Sequence, residues 1–391
     1  MVAFTVCVSR CAVKQLKVSV IGAGPSGLLA AEVLAKGGAE VVIYDHMPAP
    51  ARKFLLAGRG GLNLTHSEPL EILLGRYGEA KDFLEPAIRA FPPDALVTWV
   101  RDLGIETFVG SSGRVFPKSM KASPLLRAWL RRLQILGVTL KTSERWRGFD
   151  GTPMILAMGG ASWPHLGSDA AWVPVLRTAG IRVNGFKPAN SRFLVNWTPL
   201  FRNRFAGTPV KNVGLTYANN KVRGELMISQ EGIEGGAIYA LSRFMRDAPG
   251  EHLQIDLRPD LSTVALAERL AKPRGKESLS TYLRKTVGLS PVAISLLHET
   301  KSPISADGIK DVAVNILRPA GIARAISSAG GVARTELDEN FQFIKIKQCY
   351  AVGEMLDWEA PTGGYLLQAC FSTAVAAAKD LLHKNRTASL P

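Results

Sequence analysis

Apolar positions change period twice between Lys17 and Asp45. Val18, Val20 and Ile21 form a short strand-like run, an Ala- and Leu-rich stretch to Lys36 has helical length, and Glu40-Val-Val-Ile-Tyr-Asp45 returns to a strand that ends in an acid. Between the first strand and the helix lies Gly22-Ala-Gly24-Pro-Ser-Gly27. Gly22 permits a tight turn, Gly24 lets backbone approach a pyrophosphate, and Gly27 lets the helix pack close to the sheet. Asp45 closes the second strand, placed to accept from a ribose hydroxyl. A glycine triplet between strand and helix, with an acid about 20 positions on, predicts an adenine dinucleotide resting on the helix N-terminus.

The pattern continues with a helix opened by Ser123-Pro124, whose apolar face is Leu126, Trp129, Leu130, Leu133 and Leu136, ended by Gly137. Residues 152–160 read as a buried strand running into the pair Gly159-Gly160. Residues 188–257 shift to short segments punctuated by Gly, Asn and Pro, which predicts a β-rich insertion. Residues 258–320 carry helical signals and read as a small helical domain. The chain then returns with Ala329-Gly-Gly-Val and with Cys349-Tyr-Ala-Val-Gly-Glu354, a strand ending in Gly-Glu. The expected organisation is therefore 1–187 and 321–391 as two halves of a nucleotide-binding domain, with 188–257 and 258–320 inserted between them. A length of 391 residues agrees with more than one core.

Composition adds less than charge does. With 47% hydrophobic and 21% charged residues the chain is an ordinary globular one, and no apolar run reaches the roughly 18–20 residues of a membrane span. Arg10 interrupts the apolar leader, so no signal peptide is expected, and a cytoplasmic location follows. Cys7, Cys11, Cys349 and Cys370 include no C-x-x-C pair, so neither a metal site nor a disulfide framework is expected. The net charge is +15, and two segments carry the excess. Residues 111–147 hold nine Lys or Arg against Glu144, and residues 182–223 hold eight with no acid, so each contributes +8. Such segments favour an anionic partner.

After the Gly353-Glu354 strand comes a loop with Gly363-Gly364 and then a helix that begins with small residues and runs to about Lys384. A helix N-terminus there would direct its dipole at the electron-rich end of a redox ring. Taken together, Gly22-x-Gly24-x-x-Gly27, Ala57-Gly-Arg-Gly-Gly-Leu-Asn63-Leu-Thr65, Gly113-Arg-Val-Phe-Pro117, Gly159-Gly160, Ala329-Gly-Gly-Val and Gly353-Glu through Gly363-Gly-Tyr-Leu-Leu-Gln368 follow the order seen in the BaiN/YhiN-like flavoproteins, which the chain resembles over nearly its full length.

That resemblance implies a glutathione-reductase-like FAD-binding Rossmann domain, of the α/β class, with an inserted β-rich domain and a small helical domain. It implies that Gly22, Gly24 and Gly27 hold the diphosphate of FAD and Asp45 its adenosine ribose. Arg59 and Asn63 would pass near the flavin beside Gly159 and Gly160, Glu354 would sit near the ribityl chain or diphosphate, and Gly363-Gly364 would meet the isoalloxazine edge. Two positions depart from the family pattern. Where relatives read Gly-Gly-Gly-Arg-Cys-Asn, this chain reads Gly58-Arg-Gly-Gly-Leu62-Asn63, and Leu366 stands where Asn is usual.

The resemblance also implies reduction of a carbon–carbon double bond conjugated to a carbonyl, either in a steroidal enone or in a uridine of large-subunit ribosomal RNA. Hydride would pass from reduced flavin N5, with a polar group stabilising the enolate oxygen and an acid protonating the neighbouring carbon. A second GxGxxG is missing from the sequence, so NAD(P)H is expected as a transient reductant. His66 and Tyr365 are the candidate acids, with His165 a third; Arg59 and Arg114 are candidate electrostatic partners. Phe193, Trp197, Phe201 and Phe205, interleaved with Arg192, Arg202 and Arg204, read either as stacking surfaces for RNA or as domain core under a solvated cationic face. The alternatives to an RNA reductase are a small-enone reductase, a small-molecule flavin oxidase or dehydrogenase, and a non-catalytic FAD- and RNA-binding protein.

Overall fold

A computed structural model describes residues 15–387. The apolar leader, Cys7 and Cys11 lie outside the described residues. The central sheet is fully parallel, in the order Cys349–Ala351, Met154–Leu156, Lys17–Ile21, Glu40–Asp45, Thr139–Thr142. A parallel sheet must be covered on both faces, and side-chain alternation shows that it is. Along Met154–Leu156, Ile155 joins one apolar cluster while Met154 and Leu156 join another.

The first cluster lies under four helices, Pro25–Lys36, Pro93–Asp102, Ala122–Ile135 and Tyr365–Thr387. Trp99, Trp129 and Phe371 meet ring to ring at their junction. Ala122–Ile135 is the helix expected after residue 121, except that Lys121 is its N-cap and Ser123 and Pro124 lie in the first turn. Buried within this layer is a carboxylate, Glu32, at 1% exposure. It accepts from Trp99 Nε1 at 3.1 Å, Arg132 Nη1 at 3.0 Å and Lys36 Nζ at 2.7 Å. The group is thus supplied with the donors that a buried carboxylate needs.

A two-stranded antiparallel ribbon, Val183–Ala189 with Ser327–Val332, leads into and out of the inserted region. Beyond it stands a six-stranded antiparallel sheet, in the order Val312–Asn315, His252–Asp256, Pro209–Tyr217, Asn220–Ser229, Gly232–Glu234, Phe193–Leu194. The helices Thr263–Leu270, Leu279–Val287 and Pro291–Glu299 each begin with a serine whose hydroxyl caps the first turn, at Ser262, Ser278 and Ser290. Their apolar sides enter the same core as that sheet, and Val312–Asn315 pairs with His252–Asp256 across residue 257. The inserted strands and helices therefore share one hydrophobic interior.

That interior also contains Phe193, Trp197, Phe201 and Phe205, at 0, 8, 3 and 7% exposure. Trp197, Phe201 and Phe205 are spaced four apart, so they line up on one side of the Pro199–Phe205 helix and its entry. Trp197 Nε1 donates to Gly232 O at 3.0 Å. Of the two readings open for these rings, the structure selects domain core over stacking on an RNA base, because burial removes their faces from solvent.

The inserted region is tied to the nucleotide-binding side by Arg246, which donates to Glu359 at 2.8 and 2.9 Å and to Asp247 at 2.6 Å. The Arg246 hydrogen bond draws the Asp247 carboxyl down to about 2 from an ordinary value of 3.8. A carboxyl depressed in the folded state contributes stability above its unfolded pKa and loses it as pH falls through the folded one. Stability from this pair is accordingly complete above about pH 4 and drains away toward pH 2, and Asp247→Asn flattens that acid limb when unfolding midpoints are followed across it. Glu32→Ala, which strands Arg132, costs about 2–4 kcal/mol at neutral pH, measured by urea denaturation.

Candidate functional site

The glycine triplet packs as its spacing implies. Gly22 has φ +105°, and a Cβ there would press into the carbonyl of Ala157. A Cβ on Gly27 would drive into the carbonyl oxygen of Gly22, so the helix sits directly against the turn. Gly24 is different: a Cβ on it meets nothing within 4 Å. It borders a cavity of about 590 Å³ whose lining includes Gly22, Gly24, Asp45, Lys53, Asn63, Arg114, Phe116, Gly159, Glu354, Gly363 and Gly364.

The Pro25–Lys36 helix begins at this cavity with no acid in its first turn and no side-chain cap. Its first N–H groups and partial positive charge are left for an anion. Asp45 accepts from Ala23 N at 2.7 Å and from Met47 N at 2.8 Å, which fixes the carboxylate between the glycine turn and the second strand. Two backbone donors leave it further lone pairs facing the cavity.

Gly159 lines the cavity, whereas Gly160 supports the wall behind it: a Cβ on Gly160 would collide with Ser328 Oγ. Glu354 lies nearby with both oxygens engaged, Oε1 accepting from Ser328 N at 3.0 Å and Oε2 paired with Lys53 Nζ at 2.7 Å. Lys53 also donates to Ser162 Oγ at 2.6 Å. Lys53 and Ser162 escaped the sequence reading, because their partners stand 301 and 109 positions apart and no local spacing marks them.

At the second glycine pair, Gly364 has φ +98° and a Cβ on it would collide with the backbone of Thr65. Thr65 Oγ1 donates to Gln368 Oε1 at 2.7 Å, and Gln368 Nε2 donates to Phe91 O at 2.8 Å. The 58–65 loop is thereby tied to the start of the Tyr365–Thr387 helix, whose first turn has no acid. Asn63 Oδ1 is buried at the cavity wall without a hydrogen-bond partner, and so is Ser168 Oγ. Leu62 is fully buried in the core below this loop, and both Leu62 and Leu366 line the cavity. The Cys370 thiol also lines it, and burial pushes that thiol up to about 12, so it stays protonated at neutral pH.

His66 and Tyr365 stand together but do not line the cavity. Their rings stack at 5.4 Å with an 18° interplanar angle. His66 Nδ1 accepts from Glu68 N at 3.1 Å, which leaves Nε2 to donate to Ser112 O at 2.9 Å. Burial, and after it a hydrogen bond with Glu68, raises the Tyr365 hydroxyl well above its ordinary value. Burial alone would raise Glu68, yet bonds from Arg76 and Tyr365 hold its carboxyl below the usual range. The structure thus brings the two candidate acids together beside the second glycine pair and keeps both off the cavity lining. His165 is exposed beside Trp163. The Arg59 side chain lies outside the described residues, while its backbone forms the short turn Gly58–Gly60.

An uncapped helix end, an open Gly24, a pinned Asp45 and an unpaired Asn63 acceptor fit FAD. The family comparison agrees: a model described as HI0933-like protein Rossmann domain matches residues 16–380. The chain belongs to this family. It is an FAD-dependent oxidoreductase with the FAD-binding Rossmann fold. Among named relatives, the ribosomal RNA dihydrouridine synthase of Escherichia coli (strain K12) is 26% identical over 397 residues, 93% of this chain and 97% of that protein. The 3-dehydro-bile acid delta(4,6)-reductase of Clostridium scindens is 26% identical over 404 residues, 93% of this chain and 98% of the other. A Haemophilus influenzae protein also named ribosomal RNA dihydrouridine synthase is 24% identical, covering 93% and 97%. Among the described residues no helix is long and apolar enough to cross a membrane, and no cluster of His, Cys, Asp or Glu is arranged to hold a metal.

The glycines separate binding from folding in a testable way. Gly24→Val places its side chain in the open space beside the helix end, so the protein should retain its far-ultraviolet circular dichroism and lose bound flavin absorbance. Gly27→Ala, which must move the turn itself, should lower the unfolding midpoint, by about 1–3 kcal/mol in stability.

Proposed function

We propose that this chain reduces the carbonyl-conjugated double bond of a uridine in ribosomal RNA, giving dihydrouridine, with NAD(P)H as the transient reductant. The reading is carried by charge that the fold leaves unspent. Lys121, Arg127, Arg131, Arg147, Arg202, Arg204, Lys211 and Lys221 are all exposed, and none makes an ion pair among the described residues. All eight belong to the two basic segments. A small steroid needs no such surface, whereas a polyanion does. The names of the Escherichia coli and Haemophilus influenzae relatives support the same choice.

FAD, when bound, supplies the hydride. The chain's part is to hold and to polarise. Gly24 and the Pro25–Lys36 helix end receive the diphosphate, Asp45 the ribose, and the Gly363-Gly364 turn with the helix start beyond it the flavin edge. Arg114, half-buried and lining the cavity, is the cation placed to stabilise a developing oxyanion on the substrate. The His66–Tyr365–Glu68–Arg76 cluster braces the glycine turn from outside.

The decisive measurement is a nucleoside digest of ribosomal RNA from a strain lacking the gene. Dihydrouridine should fall by one residue per large subunit and return on complementation; an unchanged digest sinks the RNA-reductase reading. In the complemented strain Arg114→Ala should lower dihydrouridine formation by about 100-fold in rate, the scale of one lost oxyanion donor, without loss of FAD.

A further inference from the structure

We infer that the outward face of the three-stranded sheet formed by Thr65–His66, Arg114–Pro117 and Thr107–Val109 is the surface on which an unpaired nucleotide of the RNA stacks before entering the cavity. The inference rests on the RNA reading above and names the docking surface for it.

The register puts the relevant side chains together. Phe108 pairs directly with Phe116, and Arg114 lies two residues before Phe116, so all three point to the same face. Val115, between them, points the other way and is 4% exposed. The rings of Phe108 and Phe116 stack at 5.8 Å with a 28° tilt. Phe116 and Arg114 line the cavity, while Phe108 is 38% exposed on an edge strand. Met120, also 38% exposed, extends the apolar surface toward Gly61, where a Cβ would come within 2.6 Å of Met120 Cε and 3.5 Å of Phe116 Cε1. An aromatic step therefore runs from solvent to the cavity wall without a break.

The surroundings are cationic. Lys121 is exposed and without an ion pair among the described residues, and Lys118 pairs only with Glu106, with the two side chains 66% and 69% exposed. An ion pair that open to water is worth little, and a phosphate can replace its acid. Aromatic faces flanked by cations are what a single strand requires: the ring takes the base, and the cations take the backbone. The buried rings of residues 193–205 cannot do this, whereas the 107–121 face is an exposed aromatic surface continuous with the cavity.

The test uses the FAD-loaded full chain and a short fluorescein-labelled single-stranded oligouridylate, with a duplex RNA of the same length as the comparison. Phe108→Ala should weaken single-strand binding on the order of tenfold, with flavin content and the salt dependence of binding unchanged. Lys121→Gln should reduce the slope of log K against log salt by about 1. Unchanged affinity in Phe108→Ala, or an unchanged slope in Lys121→Gln, overturns the inference, as does a wild type that binds the duplex in preference. The reaction is read separately. If Phe108→Ala weakens binding while the deletion strain keeps its dihydrouridine, the surface stands and the uridine-reductase reading falls. If the wild type forms dihydrouridine and Phe108→Ala binds normally, the surface falls alone.

Discussion

The parallel pairing of Cys349–Ala351 onto Met154–Leu156 is the constraint on which the rest of the molecule depends. It sets a strand from the end of the chain into the same sheet as the first strand, so that Glu354 and the Gly363-Gly364 turn reach the cavity that Gly22 and Asp45 begin. Everything between must then leave and return at one place. The antiparallel ribbon Val183–Ala189 with Ser327–Val332 does this, and the inserted sheet and its helices hang from it as one core. Two charged contacts hold the closure, Lys53 to Glu354 within the site and Arg246 to Glu359 at the root of the insertion. The cost is kinetic: a site completed by contacts 301 positions apart must wait for a large loop to close.

This constraint also decides what was legible in the sequence. The strand–turn–helix–strand unit of residues 17–45 was readable because every signal in it is local, and the tight packing of Gly22 and Gly27 follows from it. The helical signals of residues 258–320 were readable for the same reason, though the serines that cap the individual helices were not singled out. What was not readable is which elements share a core. Val312–Asn315 is four residues long, too short to announce a partner, and only its pairing with His252–Asp256 joins the helices to the inserted sheet. Trp197, Phe201 and Phe205 show the harder case. Aromatics four apart among arginines describe both a buried helix face and an exposed one, and the choice belongs to the neighbours that cover them. Phe116 belongs to the Gly113–Pro117 motif, but Phe108 lies in a short hairpin strand with little apolar patterning, and their pairing was not readable until the register was known.

Charge divides along the same line between local and distant. Within the two basic segments, Arg132 serves Glu32 in the core, Arg192 serves Glu231, and Lys187 and Arg223 serve Asp247 and Asp260. Counting lysines and arginines treats these alike with Lys121 or Arg202, yet the first is structural and the others are free. An excess of +8 in a segment is therefore a ceiling on its surface charge, and the part that matters for a polyanion is the unpaired remainder.

The cluster beside the glycine turn bears on how the proposed reaction divides its labour. A proton donor must hold a proton that nothing else claims and must face the reacting carbon. His66 Nε2 is hydrogen-bonded to Ser112 O, and the Tyr365 ring stacks on the imidazole outside the cavity lining. Tyr77 Oη, meanwhile, donates to Tyr365 O at 2.8 Å, so the first residue of the terminal helix is fixed through its backbone as well as its ring. These groups are arranged to keep a helix end still. Stillness has chemical value here, because donors aimed at a developing charge stabilise it most when they need not reorganise to do so. On the proposed reaction, the barrier is then lowered chiefly where charge accumulates on the substrate oxygen, opposite Arg114, and the later protonation of carbon is left to a donor with access to water.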